Sequence, residues 1–202
     1  MSSTPTGTRR RPPIERGDRI PDFTAPAADG ETVSTRRYYL RRILALVFTH
    51  RWPCAACQDY LRAIAERIEA IRAEAGEVVA VLPLGPEVAL GNLATLPFPV
   101  ALADDVEIHE RYGLAASDGR PLAGVVIADR TGTVYEVDLA DEAHRLLDPE
   151  EIRGWLEFVS YECSECWVDR TQRRCSSPAT GWSSKKVVRP VTWPSMSCRR
   201  TG

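Results

Sequence analysis

Two apolar runs, ILALVFT (43–49) and EVVAVLPLG (77–85), bracket one run of helical period, and this triplet limits the folds open to the chain. ILALVFT is apolar without alternation, which predicts a strand buried on both faces. Between the runs, CQDYLRAIAERIEAIRAEAG places Leu61, Ile64, Ile68 and Ile71 at spacings of three, four and three, with Glu, Arg and Asp between them. That is the stripe of an amphipathic helix, ending near Gly76. A strand, a helix and a strand with connections this short form a βαβ unit, and the two strands are expected to be parallel.

The remaining elements extend the same pattern. GDRIPDFTAPAADGETVS reads as two short segments punctuated by Pro21, Pro26 and the turn signal Asp29-Gly30. PEVALGNLATL suggests a short helix within 86–97. FPVALADD precedes a second amphipathic run, VEIHERYGL, which Gly113 can end. AGVVIADRTGTVYEVDL reads as two antiparallel strands around ADRTG. A last helix is expected from Asp148: Asp148 is the cap, Pro149 fills the first position, and Ile152, Trp155, Leu156 and Val159 form the apolar face. Alternating elements make the class α/β. The expected division is an N-terminal arm (1–16) without structure, one domain (17–166), and a basic tail (167–202) without sustained period.

With 202 residues and 44% apolar content the chain can build one real core. The formal net charge of -2 argues against a polyelectrolyte partner for the whole chain. Beyond Cys166, however, eight Lys/Arg face one acidic residue, Asp169. No helix or groove pattern organises that charge, so a nucleic-acid partner is not expected. No apolar run reaches membrane-spanning length, and MSSTPTGTRRRPP lacks the apolar core of a secretory signal, so a cytoplasmic protein is expected. In a reducing compartment, six cysteines arranged as two C-x-x-C pairs and two single residues point to redox chemistry or metal before a structural disulfide framework.

The first pair lies in RWPCAACQ (51–58), at the junction of strand and helix. Cys54 falls at or just before the helix N-terminus and Cys57 in its first turn. There the unsatisfied N–H groups and the positive end of the helix dipole favour a thiolate. Cysteines at i and i+3 can close a disulfide, so that one sulfur attacks and the other resolves the product. His50, Arg51 and Trp52 lie just upstream, where a base or a positive charge could act. Two other readings stay open at this level: small buried residues filling a helix–sheet junction, and half of a metal site.

The stretches GDRIPDFTAPAADGETVS, ILALVFTHRWPCAACQDYL, EVVAVLPL, FPVALADDVEIHERYGL and VVIADRTGTVYEV resemble, in order and over about residues 17–160, the peroxiredoxin (alkyl hydroperoxide reductase/thiol-specific antioxidant) family of the thioredoxin-like superfamily. The resemblance implies a thioredoxin-like fold, a central mixed β-sheet flanked by helices. It also implies reduction of hydroperoxides by a cysteine thiolate, with an external thiol reductant and no organic cofactor, and it leaves a homodimer open. The family's site resembles P-x-x-x-T-x-x-C, which puts Cys57 in the attacking position. Cys54 stands in the Thr position, His50 in the Pro position, and Ala123 in the place of a distant Arg that Arg120 lies near. The thioredoxin pattern W-C-x-x-C implies the opposite order, Cys54 attacking and Cys57 resolving, with a disulfide as substrate.

The second pair, Cys163 and Cys166 in CSEC, follows the last helix. It has three readings: a resolving or relay dithiol, half of a zinc site completed by Cys54 and Cys57, or no chemical role. Cys175 and Cys198 are assigned none.

Overall fold

The computed structural model describes residues 14–52, 54–83, 93–103, 106–141 and 144–162. A five-stranded sheet runs through them, in the order β5 (Val100–Ala103), β4 (Gly76–Pro83), β3 (Ile43–Phe48), β6 (Gly124–Ala128), β7 (Val134–Leu139). β3 pairs with β4, and β4 with β5, in parallel, whereas β6 and β7 run antiparallel. The sheet is therefore mixed, as expected. β3 is its central strand and all six of its residues are buried, which is why its sequence carries no alternation.

The two faces of the sheet are covered differently. Ile43, Ala45 and Val47 face α1 (Ala55–Ala73), whose Leu61, Ile64, Ile68 and Ile71 are the predicted stripe, together with Ile152, Leu156 and Val159 of α3 (Pro149–Tyr161). Leu44, Leu46 and Phe48 face a lighter cover: Phe23, the hairpin of β1 (Thr24–Pro26) and β2 (Thr32–Ser34), and Ile108 and Tyr112 at α2 (Glu107–Arg111). Two helices thus roof one face, and mainly a hairpin and a short helix the other. Ile14 is buried against this second face and donates its N–H to the Tyr112 carbonyl, so packed residues begin within the arm expected to lack structure.

Local signals account for most boundaries. Asp148 accepts the Glu151 N–H while the Glu151 carboxylate accepts the Asp148 N–H, a complete capping box with Pro149 behind it. Gly113, with φ of 70°, follows α2 as anticipated. Gly76 does not end α1. The helix stops at Ala73, Ala75 takes the left-handed conformation at φ 57°, and Gly76 opens β4. The reason is steric: a Cβ at Gly76 would lie 2.6 Å from Leu156 Cδ1 and 3.0 Å from the Ile71 carbonyl. The glycine lets α3 press onto the α1–β4 corner. The strand β5 and the 3₁₀ turn Thr35–Tyr38 were not assigned from the sequence. Most of 86–97, where a short helix was expected, lies outside the described residues, as does everything from Cys163 onward.

Asp148→Ala removes one half of the capping box and is expected to lower stability by about 1 to 2 kcal/mol. Urea denaturation with an unchanged m-value checks this, and an unchanged midpoint would show that the box contributes nothing.

Candidate active site

β3 ends pointing at the N-terminus of α1, and the chain between them carries the first cysteine pair. Cys54 is the N-cap, with extended backbone (φ -127°, ψ 123°), and its carbonyl accepts the Gln58 N–H. Cys57, one turn further, is buried at 6% exposure, while Cys54 is half-buried. The helix therefore presents one reachable and one sheltered sulfur on the same side. His50 completes the group: its Nδ1 lies 3.3 Å from Cys57 Sγ, and the donor atoms of His50, Cys54 and Cys57 all fall within 4.8 Å of one another.

Burial dominates the electrostatics. Desolvation pushes the Cys57 thiol up to about 11, helped by the adjacent Cys54 thiol, against the pull of the His50 backbone N–H and the Arg51 charge. Desolvation also lowers His50, and the neighbouring His144 and Arg51 lower it further. At neutral pH both partners are uncharged, so the pair is not a thiolate–imidazolium couple; in its Nε2–H tautomer the imidazole accepts the Cys57 S–H at Nδ1. Burial thus works against the thiolate that the helix N-terminus was expected to favour.

Three residues not singled out from the sequence shape the site. His109 of α2 is fully buried, and its Nε2–H donates to the Thr49 carbonyl at 2.8 Å, which holds the last peptide of β3 before His50. Desolvation takes His109 down to about 4, and its Nδ1 has no partner among the described residues. The Thr49 hydroxyl, also fully buried, likewise has none. It lines a small pocket of about 10 Å³ with Cys57, Tyr60, Ala123, His144 and Leu146, room for roughly one water-sized group. His144 adopts φ 57°, and its ring packs on that of His50 at 4.8 Å between centroids. Tyr60 ties this region to α1 by donating to the Leu147 carbonyl. The sequence signal for His109 was its place beside Ile108 and three before Tyr112, a polar residue on a buried stripe. Nothing local marks His144, which lies almost ninety residues from the cysteine pair.

Among the other candidates, Trp52 packs half-buried against the α1 face of the core, and Arg51 is exposed but close enough to act on both Cys57 and His50. Arg120 is exposed, engaged with Asp118 at 2.6 Å, and not among the residues that line the Cys57 pocket. Ala123 borders the pocket where the resembled family would place its arginine. Cys163 and Cys166 lie outside the described residues.

With this geometry in place, known proteins can be compared. The AhpC/TSA family profile matches residues 16–137, the span from the first buried turns through β7. The chain belongs to the AhpC/TSA family. No characterised protein matches significantly by overall sequence. Solved structures share the fold at low identity. A reduced 2-Cys peroxiredoxin of Plasmodium vivax is 17% identical with a TM-score of 0.62, over 72% of this chain and 81% of that one. AhpC of Mycobacterium bovis is 16% identical with a TM-score of 0.64, over 78% and 99%. The thioredoxin domain of a thiol-disulfide oxidoreductase from Bacteroides vulgatus is 15% identical with a TM-score of 0.56, over 72% and 99%. The fold is the thioredoxin-like fold of the peroxiredoxins, and family membership makes the protein a thiol peroxidase or thiol–disulfide oxidoreductase. Among the described residues no helix is long and apolar enough to cross a membrane.

His109 supplies a pH test. Its folded-state value is depressed from 6.5 to about 4, so its contribution to stability is present above pH 6.5 and is lost as pH falls through 4. Between pH 7 and pH 4 the parent should lose about 3 kcal/mol more than His109→Gln, read from urea midpoints across that range. Parallel pH profiles for the two proteins would contradict the burial argument.

Proposed function

We propose that the protein is a dithiol hydroperoxide reductase in which Cys54 attacks and Cys57 resolves. The observation that supports it is the asymmetry of the pair. Cys54 is the half-exposed cap of a helix N-terminus, whereas Cys57 is buried against His50 Nδ1, and the three donor atoms lie within 4.8 Å. The Cys54 thiolate attacks one peroxide oxygen and the O–O bond breaks. The sulfur becomes a sulfenic acid, and the other oxygen leaves, taking up a proton, as an alcohol or water. His50 then accepts the Cys57 proton, Cys57 attacks the sulfenic sulfur, and hydroxide leaves as water when it gains a proton, leaving a Cys54–Cys57 disulfide. Two electrons from an external thiol reductant, of the kind a thioredoxin-like protein provides, reopen it. Membership of the AhpC/TSA family supports a hydroperoxide as the oxidant.

One observation favours a second order of events. Cys57, not Cys54, borders the small pocket that Thr49 also lines, and the Thr49 hydroxyl, without a partner among the described residues, is a donor near enough to serve a peroxide oxygen held there. In that order Cys57 attacks, as the family pattern implies, and Cys54 resolves.

Single-turnover oxidation by hydrogen peroxide distinguishes them. Cys54→Ser should slow the reaction at least ~100-fold, while Cys57→Ser should still consume one equivalent and accumulate a sulfenic acid at Cys54 that dimedone traps. A dead Cys57→Ser beside a fast Cys54→Ser would transfer the attack to Cys57. Parent-like rates in both would remove the pair from the chemistry altogether. Faster reaction of the reduced parent with a small disulfide than with peroxide would make the protein a general thiol–disulfide oxidoreductase.

A further inference from the structure

We propose that His50, Cys54 and Cys57 also form a zinc(II) site, so that the reduced dithiol has a metal-bound state alongside its redox cycle. The three residues follow the spacing H-x-x-x-C-x-x-C: His50 lies two residues past the end of β3, Cys54 caps α1 and Cys57 lies in its first turn. Their donor atoms lie within 4.8 Å of one another, and the His50 Nδ1 to Cys57 Sγ separation is 3.3 Å. Tetrahedral zinc with ordinary bond lengths spaces a nitrogen and a sulfur ligand by about 3.6 Å and two sulfurs by about 3.8 Å. The His50 to Cys57 separation of 3.3 Å is already close to the first of these.

The surroundings fit the charge of such a complex. Two thiolates and a neutral imidazole around Zn²⁺ give a net charge of zero, which a partly buried site accepts far better than a bare thiolate. The N-terminus of the nineteen-residue α1, which Cys54 caps, adds the positive end of the helix dipole. Binding is balanced by release of two protons, one from each thiol, and takes no electrons. The fourth position goes to water or to His144, whose ring already packs on that of His50 and borders the Cys57 pocket. The site differs from a four-cysteine one built from both C-x-x-C pairs, because His50 provides the third donor. Formation of the Cys54–Cys57 disulfide consumes both thiolates, so zinc binding and oxidation exclude each other.

The test is titration of the reduced full-length chain with zinc(II) against a chromophoric chelator, paired with cobalt(II) absorption as a reporter of ligand type. One zinc per chain is expected, together with tetrahedral cobalt d–d bands and thiolate-to-cobalt charge transfer. Cys54→Ser and Cys57→Ser should each weaken binding about tenfold or more and reduce the charge-transfer band. His50→Ala should weaken binding about tenfold and leave that band at parental strength. A Cys163→Ser/Cys166→Ser double variant should bind like the parent. The parent oxidised to the Cys54–Cys57 disulfide keeps every side chain in place and should not bind, which separates lost ligation from lost folding. Binding by the oxidised parent, parental affinity in His50→Ala, loss of affinity in the double variant, or no binding by the reduced parent would each overturn the proposal. Peroxide turnover of the metal-free protein reads the redox function independently, so either can fail without the other.

Discussion

The strand β3 sets the position of everything at the site. Buried on both faces and hydrogen-bonded to β4 on one side and β6 on the other, it has no freedom to slide. Thr49, the residue just past its end, is fixed twice more: its N–H donates to the Val81 carbonyl, and its carbonyl accepts from His109. The chain that leaves this anchor reaches the helix cap within five residues. His50, Cys54 and Cys57 therefore converge because the strand end is held and the helix start is near, and only Cys57 among them depends on the helical repeat.

The chemistry then follows from where water is excluded. A thiol in the first helical turn is often treated as activated by the helix, yet at Cys57 burial pushes the thiol the other way, up to about 11. Burial also makes the imidazole of His50 a neutral acceptor. A neutral Cys–His pair next to a more exposed cysteine suits the sequential sulfur chemistry proposed for it, in which the sheltered thiol becomes reactive when its proton has somewhere to go. His109 acts at one remove. It leaves its own Nδ1 unpartnered among the described residues, while its other nitrogen secures the peptide from which His50 projects.

Local sequence carried most of the scaffold. The apolar run of β3, the stripe of α1, the turn between β6 and β7, and the cap at Asp148 are each encoded within a few residues, and each is found as anticipated. α1 ends near Gly76 as anticipated, but the glycine is not what stops it: Gly76 opens β4 and is required by the approach of Leu156, far away in sequence. The same distinction divides the site. Cys54, Cys57 and His50 could be named because they share one short stretch. The roles of Thr49, His109 and His144 depend on contacts between distant segments, and Arg120, adjacent only in a pattern, turned out to be committed to Asp118.

The contact between Gly76 and α3 also bears on what constitutes a unit of folding. The AhpC/TSA match ends at residue 137, but Ile152, Leu156 and Val159 of α3 complete the core over β3 and α1. A fragment cut at the family boundary would leave an open apolar trough on the very face that shelters Cys57. The family segment holds the cysteine pair, while the helix beyond it completes the core that carries that segment, so a piece that keeps this core intact extends at least to Val159.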